Sequence, residues 1–119
     1  MLKIYHLGHC TTCQRILRDM PHLERFRLQD IKHEPITAAQ LDALKAKVGS
    51  WSALFSRQAM KYRRLGLHLQ ELDEADCRRL ILEEYTFLKR PVIVIHGRAY
   101  VGHAKKTVEA AQAAARKLS

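Results

Sequence analysis

Residues 2–13 read LKIYHLGHCTTC, and the pattern of side chains changes part-way along this stretch. Residues 2–7 alternate in polarity and include β-branched and aromatic side chains, which predicts a strand. Gly8-His9 favours a turn, and a helix is predicted over about residues 11–20, where Pro21 limits it. The two cysteines of the stretch therefore lie where a strand passes into a helix.

This position suits Cys10 and Cys13 to thiol–disulfide exchange. Free backbone N–H groups and the helix dipole stabilise a thiolate at a helix N-terminus, so Cys10 is the predicted nucleophile. Cys13 lies one turn further on, where it can resolve a mixed disulfide or a sulfenic acid. Thr11 and Gln14 match the capping-box pattern, which predicts that the helix begins at this pair.

Zinc binding is an alternative use of the same pair. A tetrahedral zinc site needs two further ligands, and the chain has neither a second CxxC nor two histidines separated by three to five residues. Such a site could form only if some of four histidines converged in space beside the cysteines: His6, His9, His96 and His103. Haem attachment is excluded as a motif because Gln14 follows the second cysteine. The prediction is therefore a redox pair without a metal, and Cys77, on an apolar helical face, is interpreted as a buried, unreactive thiol.

The remaining strands complete a small sheet. Residues 25–34 alternate loosely and predict a second strand, which ends at Glu34-Pro35. Residues 91–95 are almost wholly apolar, as in a central strand covered on both faces, and residues 99–101 return as a hairpin partner after His96-Gly97-Arg98. A final helix carries its apolar side chains on one face. The order β-α-β, then helices, then β-β-α predicts an α/β fold with a four-stranded mixed sheet.

Helices are predicted over most of residues 37–85. Thr37 and Gln40 form a capping box at the first of them. Ser50 is predicted to cap a second helix that continues through Tyr62 and ends at Gly66, and Asp73 opens a third.

The length, composition and charge of the chain exclude several classes of protein. The 119 residues suit one domain, and 47% hydrophobic with 28% charged residues is an ordinary globular balance. The formal charge is +9, but only 7% of residues are aromatic and they are not interleaved with the basic runs, so no direct binding of nucleic acid is predicted. No apolar run is long enough for a membrane span, and the first residues do not resemble a secretion signal. With three cysteines, the chain is expected to be cytoplasmic.

Arg90-Pro91 is a second unusual feature, because a proline at the start of a central strand removes a backbone donor. A cis proline facing the thiol pair and a trans proline starting an edge strand are both compatible with the sequence. Beside Cys10, Arg90 would bind an anion or stabilise the thiolate.

With these residues, the chain resembles the ArsC/Spx family of arsenate reductase-like proteins and redox regulators. The resemblance rests on three blocks in the family's order, followed by Tyr100-Val101-Gly102: His9 to Cys13, Leu54 to Leu67, and Phe87 to Val94. It implies one domain over residues 1–119, with a thioredoxin-like (glutaredoxin-like) core at 1–36 and 86–119 and a helical insertion at 37–85. It also implies a cis peptide before Pro91.

The resemblance implies roles for individual residues. Cys10 falls on the family's reactive cysteine, and Cys13 is the second cysteine seen in Spx-like members. Arg90 matches one of three arginines that hold the oxyanion in arsenate reductases, whereas Ser56 and His103 stand at the other two positions. Arg57 lies one place beyond Ser56. Cys10, Cys13 and Arg90 are the expected catalytic residues, and His9, Arg57 and Pro91 are expected to contact substrate.

The implied function is an arsenate reductase-like thiol oxidoreductase that receives electrons from thioredoxin, glutaredoxin or glutathione and needs no bound cofactor. The alternative is a redox switch of Spx type, in which oxidation of the same cysteine pair changes binding to RNA polymerase.

Overall fold

A computed structural model describes residues 1–118. Ser119, the last residue of the predicted domain, lies outside the described residues. The chain forms two compact units: residues 1–34 together with the chain from Arg90 onward, and residues 35–89.

The first unit contains a four-stranded sheet. Its strands are β1 (Leu2–His6), β2 (Arg27–Asp30), β3 (Val92–Ile95) and β4 (Arg98–Val101), in the order β2-β1-β3-β4. β1 runs parallel to β2, and the β1–β3 and β3–β4 pairs are antiparallel. The predicted mixed sheet of four strands is confirmed, and its strands and helices follow one another along the chain in the predicted order.

Two helices pack on one face of this sheet. They are α1 (Thr11–Arg18) and α5 (Lys105–Arg116). Ile4 of β1 lies opposite Ile93 of β3, and their side chains join those of α1 and α5 in one apolar cluster. Ala111 and Ala115 of α5 are fully buried in it, because a methyl side chain lets a helix approach a sheet closely. The sheet and these helices provide the rigid support for the junction between β1 and α1.

β3 is the central strand that its apolar sequence predicts. All four of its residues are buried, as expected for a strand covered on both faces. It turns into β4 through His96 and Gly97, which both have positive φ values, 46° and 86°. Two successive residues of positive φ are typical of the tight turn whose twist matches a β-hairpin.

β2 is shorter than the predicted strand at residues 25–34. A 3₁₀ turn occupies Leu23–Arg25 before it. After it, the carbonyl of Asp30 accepts hydrogen bonds from the N–H groups of His33 (3.1 Å) and Glu34 (2.7 Å). The Asp30 carboxylate accepts another from the N–H of Lys32 at 3.1 Å. These local bonds turn the chain at Asp30, so the loose alternation beyond that residue does not continue the strand.

The second unit is helical. It contains α2 (Ala38–Val48), α3 (Met60–Arg64) and α4 (Glu74–Glu83), with 3₁₀ turns at Ser52–Leu54, Leu67–Leu69 and Tyr85–Phe87. The capping box predicted from Thr37 and Gln40 forms with both of its hydrogen bonds at 3.1 Å. Asp73 caps α4 as predicted and forms a second capping box with Asp76.

The prediction of one helix from Ser50 to Gly66 is wrong. The chain instead forms a 3₁₀ turn, an extended segment and the short α3. Phe55 and Leu88 form a β-bridge, the Ser56 N–H donates to the Phe87 carbonyl at 2.7 Å, and the Lys89 N–H donates to the Leu54 carbonyl at 2.8 Å. These bonds join segments far apart in sequence, and they hold residues 54–56 extended where the local pattern favours a helix.

No helix within residues 1–118 combines the length and apolar character needed to cross a bilayer.

Candidate active site at the start of α1

The junction between β1 and α1 is a tight turn that ends at Cys10. The N–H of Cys10 donates to the carbonyl of Leu7 at 3.0 Å, and the carbonyl of Cys10 accepts the N–H of Gln14 at 3.0 Å. Cys10 has extended backbone angles, φ −85° and ψ 117°, and is the residue that precedes the first turn of α1. The predicted start of the helix at the cysteine pair is therefore confirmed.

The predicted capping box between Thr11 and Gln14 does not form. Thr11 is already the first helical residue, one position too late to cap the helix, and Cys10 occupies the cap position. The Gln14 side chain instead donates from Nε2 to the carbonyl of Gly8 at 2.6 Å. Gln14 thus ties α1 back to the turn that precedes it.

Cys10 is partly exposed, and its surroundings favour the thiolate. Burial, the largest single influence, raises the pKa of Cys10. The backbone N–H groups of Cys13 and Thr12, the Cys13 thiol and the charge of Arg90 oppose it, and together they hold the pKa of Cys10 below its ordinary value. The Cys10 side chain does not form a regular helix-capping hydrogen bond with either N–H, but both N–H groups favour a negative charge on its sulfur.

Cys13 has the opposite properties. It is 0% exposed and belongs to the buried core, whereas Cys10 is accessible. Burial raises the pKa of Cys13 to about 11, against the opposing influences of a backbone hydrogen bond from Leu7 and the charge of Arg90. The proximity of Cys10 raises it further. The pair therefore holds one thiol that ionises more readily than an ordinary cysteine and one that keeps its proton at neutral pH.

Arg90 and Pro91 lie in the same unit as the cysteines, and the peptide bond between them is cis. The cis form expected from the family resemblance is thus present. The Arg90 charge lowers the pKa of both Cys10 and Cys13. Pro91 is buried, and its carbonyl accepts the N–H of Gly102 at 2.9 Å, which holds the start of β3 to the end of β4. The structure therefore brings Cys10, Cys13 and Arg90 together.

His9 and Arg57, which are also predicted to contact substrate, and His103, which stands at the position of a family arginine, are all exposed. His9 is exposed in the turn before Cys10. Arg57 is exposed in the second unit, where its guanidinium lies 5.3 Å from the centre of the Phe55 ring and donates to the Ser52 hydroxyl at 3.4 Å. His103 is exposed between β4 and α5 and lines a groove of about 220 Å³ between α1 and α5.

Asp30 is a residue of this site that the sequence analysis did not single out. It lies opposite His6 in the parallel pairing of β2 with β1, which places its carboxylate next to the Leu7–Cys10 turn. Burial, the largest single influence, raises the pKa of this carboxylate, but hydrogen bonds from the backbone N–H groups of Lys32 and Gly8 help to hold it below the ordinary value. The signal was available in the sequence, because parallel strands joined by one helix bring their carboxyl ends to the same edge.

Cys77 is 0% exposed in α4, and burial raises its pKa. The prediction of a buried thiol is confirmed. Within residues 1–118, no three His, Cys, Asp or Glu side chains are grouped so that they could hold a metal ion.

Comparison with known proteins identifies the family. Residues 5–111 match the ArsC family. The chain belongs to the ArsC family. An uncharacterized protein of Haemophilus influenzae is 25% identical over 113 residues, covering 93% of this chain and 98% of that one.

Solved structures of ArsC-related proteins share the fold. The solution structure of an arsenate reductase (ArsC) related protein from Brucella melitensis superposes with a TM-score of 0.69 at 29% identity, covering 92% of each chain. An arsenate reductase from Vibrio cholerae superposes with a TM-score of 0.72 at 19% identity, covering 91% of this chain and 92% of that one. The thioredoxin-like class inferred from the sequence is confirmed. Membership of the ArsC family supports a thiol-based, reductase-like role.

Proposed function

We propose that this ArsC-family chain is a thiol–disulfide oxidoreductase in which Cys10 is the nucleophile and Cys13 the resolving thiol. The observation that carries the proposal is the asymmetry of the pair. Cys10 is accessible with a lowered pKa, and Cys13 is sealed from solvent with its pKa raised to about 11. Titratable neighbours whose pKa values are pushed apart take different chemical roles.

The first step is attack by the Cys10 thiolate on one sulfur of a substrate disulfide. A bond forms between Cys10 and that sulfur while the substrate S–S bond breaks, and the second substrate sulfur leaves as a thiolate that takes up a proton from water. The product is a mixed disulfide on Cys10. Accessibility matters most in this step, because the substrate sulfur must approach Cys10 in line with the bond that breaks.

The second step closes the internal disulfide. Cys13 loses its proton and its sulfur attacks Cys10, which forms the Cys10–Cys13 bond and releases the first substrate sulfur as a thiolate. Overall, the substrate gains two electrons and two protons, and the protein loses them. A dithiol or two monothiols of the thioredoxin, glutaredoxin or glutathione systems would restore the reduced pair, as expected for a protein of a reducing, cytoplasmic compartment.

Arg90 is proposed to stabilise the attacking thiolate in both steps. Its guanidinium favours the Cys10 thiolate before attack and the Cys13 thiolate before resolution, since it lowers the pKa of both. Pro91, His9 and Arg57 remain proposed substrate contacts: Pro91 beside Arg90, His9 in the turn before the nucleophile, and Arg57 as a further cation for an anionic substrate. Arsenate and peroxide are the other substrates that a thiolate beside an arginine could attack.

The experiment compares turnover and disulfide formation in wild type, Cys10→Ser and Cys77→Ala. Thiol release from a small disulfide, arsenate reduction and peroxide consumption are measured in parallel with each of the three donors. Wild type and Cys77→Ala should turn over, and peptide mapping after one turnover should find Cys10 joined to Cys13. Cys10→Ser should be inactive. Absence of turnover with all three substrates, or a disulfide that includes Cys77, would contradict the proposal.

The alternative, a redox-dependent regulator of RNA polymerase, would use the same pair without turnover. A pull-down with RNA polymerase, carried out with the protein reduced and with the pair oxidised, separates the two. Strong binding that depends on the redox state, together with no turnover, would favour the regulator over the enzyme.

A further inference from the structure

Gly8, two residues before Cys10, is held from both sides by hydrogen bonds. Its N–H bonds to the carboxylate of Asp30, and its carbonyl accepts the Nε2 amide of Gln14 at 2.6 Å. The first bond links the turn to the end of β2, and the second links it to α1. The turn between β1 and α1 is therefore fixed to the two elements that flank it.

The space beside Gly8 is filled by the same carboxylate. A Cβ built on Gly8 would lie 2.5 Å from Oδ2 of Asp30, closer than real Cβ atoms come to any neighbour. Gly8 does not have a positive φ, so its backbone would otherwise accept an L side chain. A side chain at position 8 would therefore displace the Asp30 carboxylate from its place beside the Gly8 N–H.

Gly8 lies close in the chain to the backbone that carries the Cys10 sulfur. Cys10 closes the turn through its hydrogen bond to Leu7 at 3.0 Å, and its extended backbone precedes the free N–H groups of Thr12 and Cys13. A shift of Gly8 would move Cys10 relative to those N–H groups, because only His9 separates the two residues. Hydrogen bonds to a thiolate depend steeply on distance and angle.

We propose that Asp30 is a positioning residue for the nucleophile: its carboxylate holds the N–H of Gly8 and so fixes the turn that presents the Cys10 sulfur to the start of α1. The inference rests on the proposed function, in which Cys10 is the nucleophile, but the contacts between Gly8 and Asp30 do not involve a substrate. Asp30 acts through its hydrogen bond and not through its charge, because a second negative charge near the thiolate would oppose ionisation. The titratable groups that act on the carboxylate are His33 and His6, whose charged forms favour its ionised state.

The test is the pH dependence of Cys10 alkylation, measured without substrate in full-length protein carrying Cys77→Ala. In Asp30→Ala the midpoint should rise by about half to one pH unit relative to the same protein with Asp30 intact, because the turn loses its anchor. Asp30→Asn is the matched control: its single amide oxygen can accept the Gly8 N–H while the amide nitrogen gives up the N–H of Lys32, which lies outside the turn. Its midpoint should stay at the wild-type value or fall slightly. A midpoint in Asp30→Ala that is unchanged or lower would overturn the inference, as would an equal rise in Asp30→Asn.

A double-mutant cycle tests the packing directly. Gly8→Ala should raise the midpoint when Asp30 is present, because the new methyl group displaces the carboxylate, and should add little in the Asp30→Ala background, where the space is open. Additive effects would overturn the inference. An ordinary midpoint in wild type would overturn both this inference and the proposed function. A lowered midpoint that depends on Asp30, in a protein without turnover, would overturn the proposed function alone.

Discussion

A hydrogen bond between the Cys13 thiol and the Cys10 sulfur lowers the pKa of Cys10 and raises that of Cys13. This hydrogen bond widens the difference in pKa between the two cysteines, to which the deeper burial of Cys13 also contributes. The difference predicts how each cysteine reacts.

Iodoacetamide should modify Cys10 selectively. The rate should rise with a midpoint at lower pH than that of an ordinary exposed cysteine, because the pKa of Cys10 is lowered. Cys13 and Cys77 should remain unmodified in the native protein, since both are 0% exposed, and react only after denaturation. Mass spectrometry of peptides gives the site, and Cys10→Ser is the control. Equal modification of all three cysteines under native conditions would refute the assignment.

Arg90→Ala should move the Cys10 alkylation midpoint to higher pH, because the positive charge that favours the thiolate is removed. Arg90→Lys should retain much of the wild-type behaviour, since the charge remains. Arg98→Ala is a suitable control: this arginine is exposed on β4, with its guanidinium 5.3 Å from the centre of the Tyr100 ring. Equal shifts in Arg90→Ala and Arg98→Ala would mean that net charge alone matters.

Asp42→Asn should destabilise the second unit in a pH-dependent way. Asp42 accepts two hydrogen bonds from Arg78, at 2.9 and 3.1 Å, and these lower the pKa of Asp42. A carboxyl group with a lowered pKa stabilises the fold above its unfolded pKa of about 3.9, and the benefit is lost as the pH falls through the lower folded value. The stability difference between wild type and Asp42→Asn should be full at neutral pH and shrink below about pH 3.9.

Denaturation followed by the fluorescence of Trp51 measures this difference, since Trp51 is the single tryptophan and its indole N–H donates to Asp42 at 3.2 Å. Glu71→Gln, at an exposed carboxylate, provides the comparison. A difference that persists undiminished at pH 3 would argue that the charge of Asp42 is not involved.

Glu74→Gln should cost about 1 kcal/mol of stability, because one amide oxygen cannot replace both carboxylate oxygens. Oε1 of Glu74 accepts the N–H of Trp51 at 2.6 Å, and Oε2 accepts the N–H of Ser52 at 3.2 Å. These bonds hold the start of the 3₁₀ turn at Ser52–Leu54 to the first turn of α4. Urea denaturation monitored by Trp51 fluorescence measures the loss, and an unchanged midpoint would show that water replaces both bonds without cost.

Local sequence signals predicted much of this fold. The apolar run of β3 identified a central strand, and the Thr37–Gln40 pair fixed the start of α2, because each depends only on residues close in the chain. The CxxC pair was placed correctly at the start of α1 for the same reason.

Interactions between distant segments account for the errors. Residues 54–56 are extended because they bond to residues 87–89, and no local pattern reports such a pairing. The role of Gln14 was misassigned because its amide reaches back to Gly8 and not to the helix cap. Asp30 was overlooked because its partner, Gly8, lies 22 positions earlier and is reached only across the parallel pairing of β1 and β2.

The complete burial of Cys13 has a practical consequence for identifying the natural substrate. A molecule captured on Cys10 is released when the inward sulfur of Cys13 displaces it, and a serine hydroxyl at that position cannot perform the displacement. Cys13→Ser would therefore act as a substrate trap inside cells, because the mixed disulfide on Cys10 would not be resolved. A disulfide substrate that it retained, released afterwards by a strong reductant, would identify the physiological target directly.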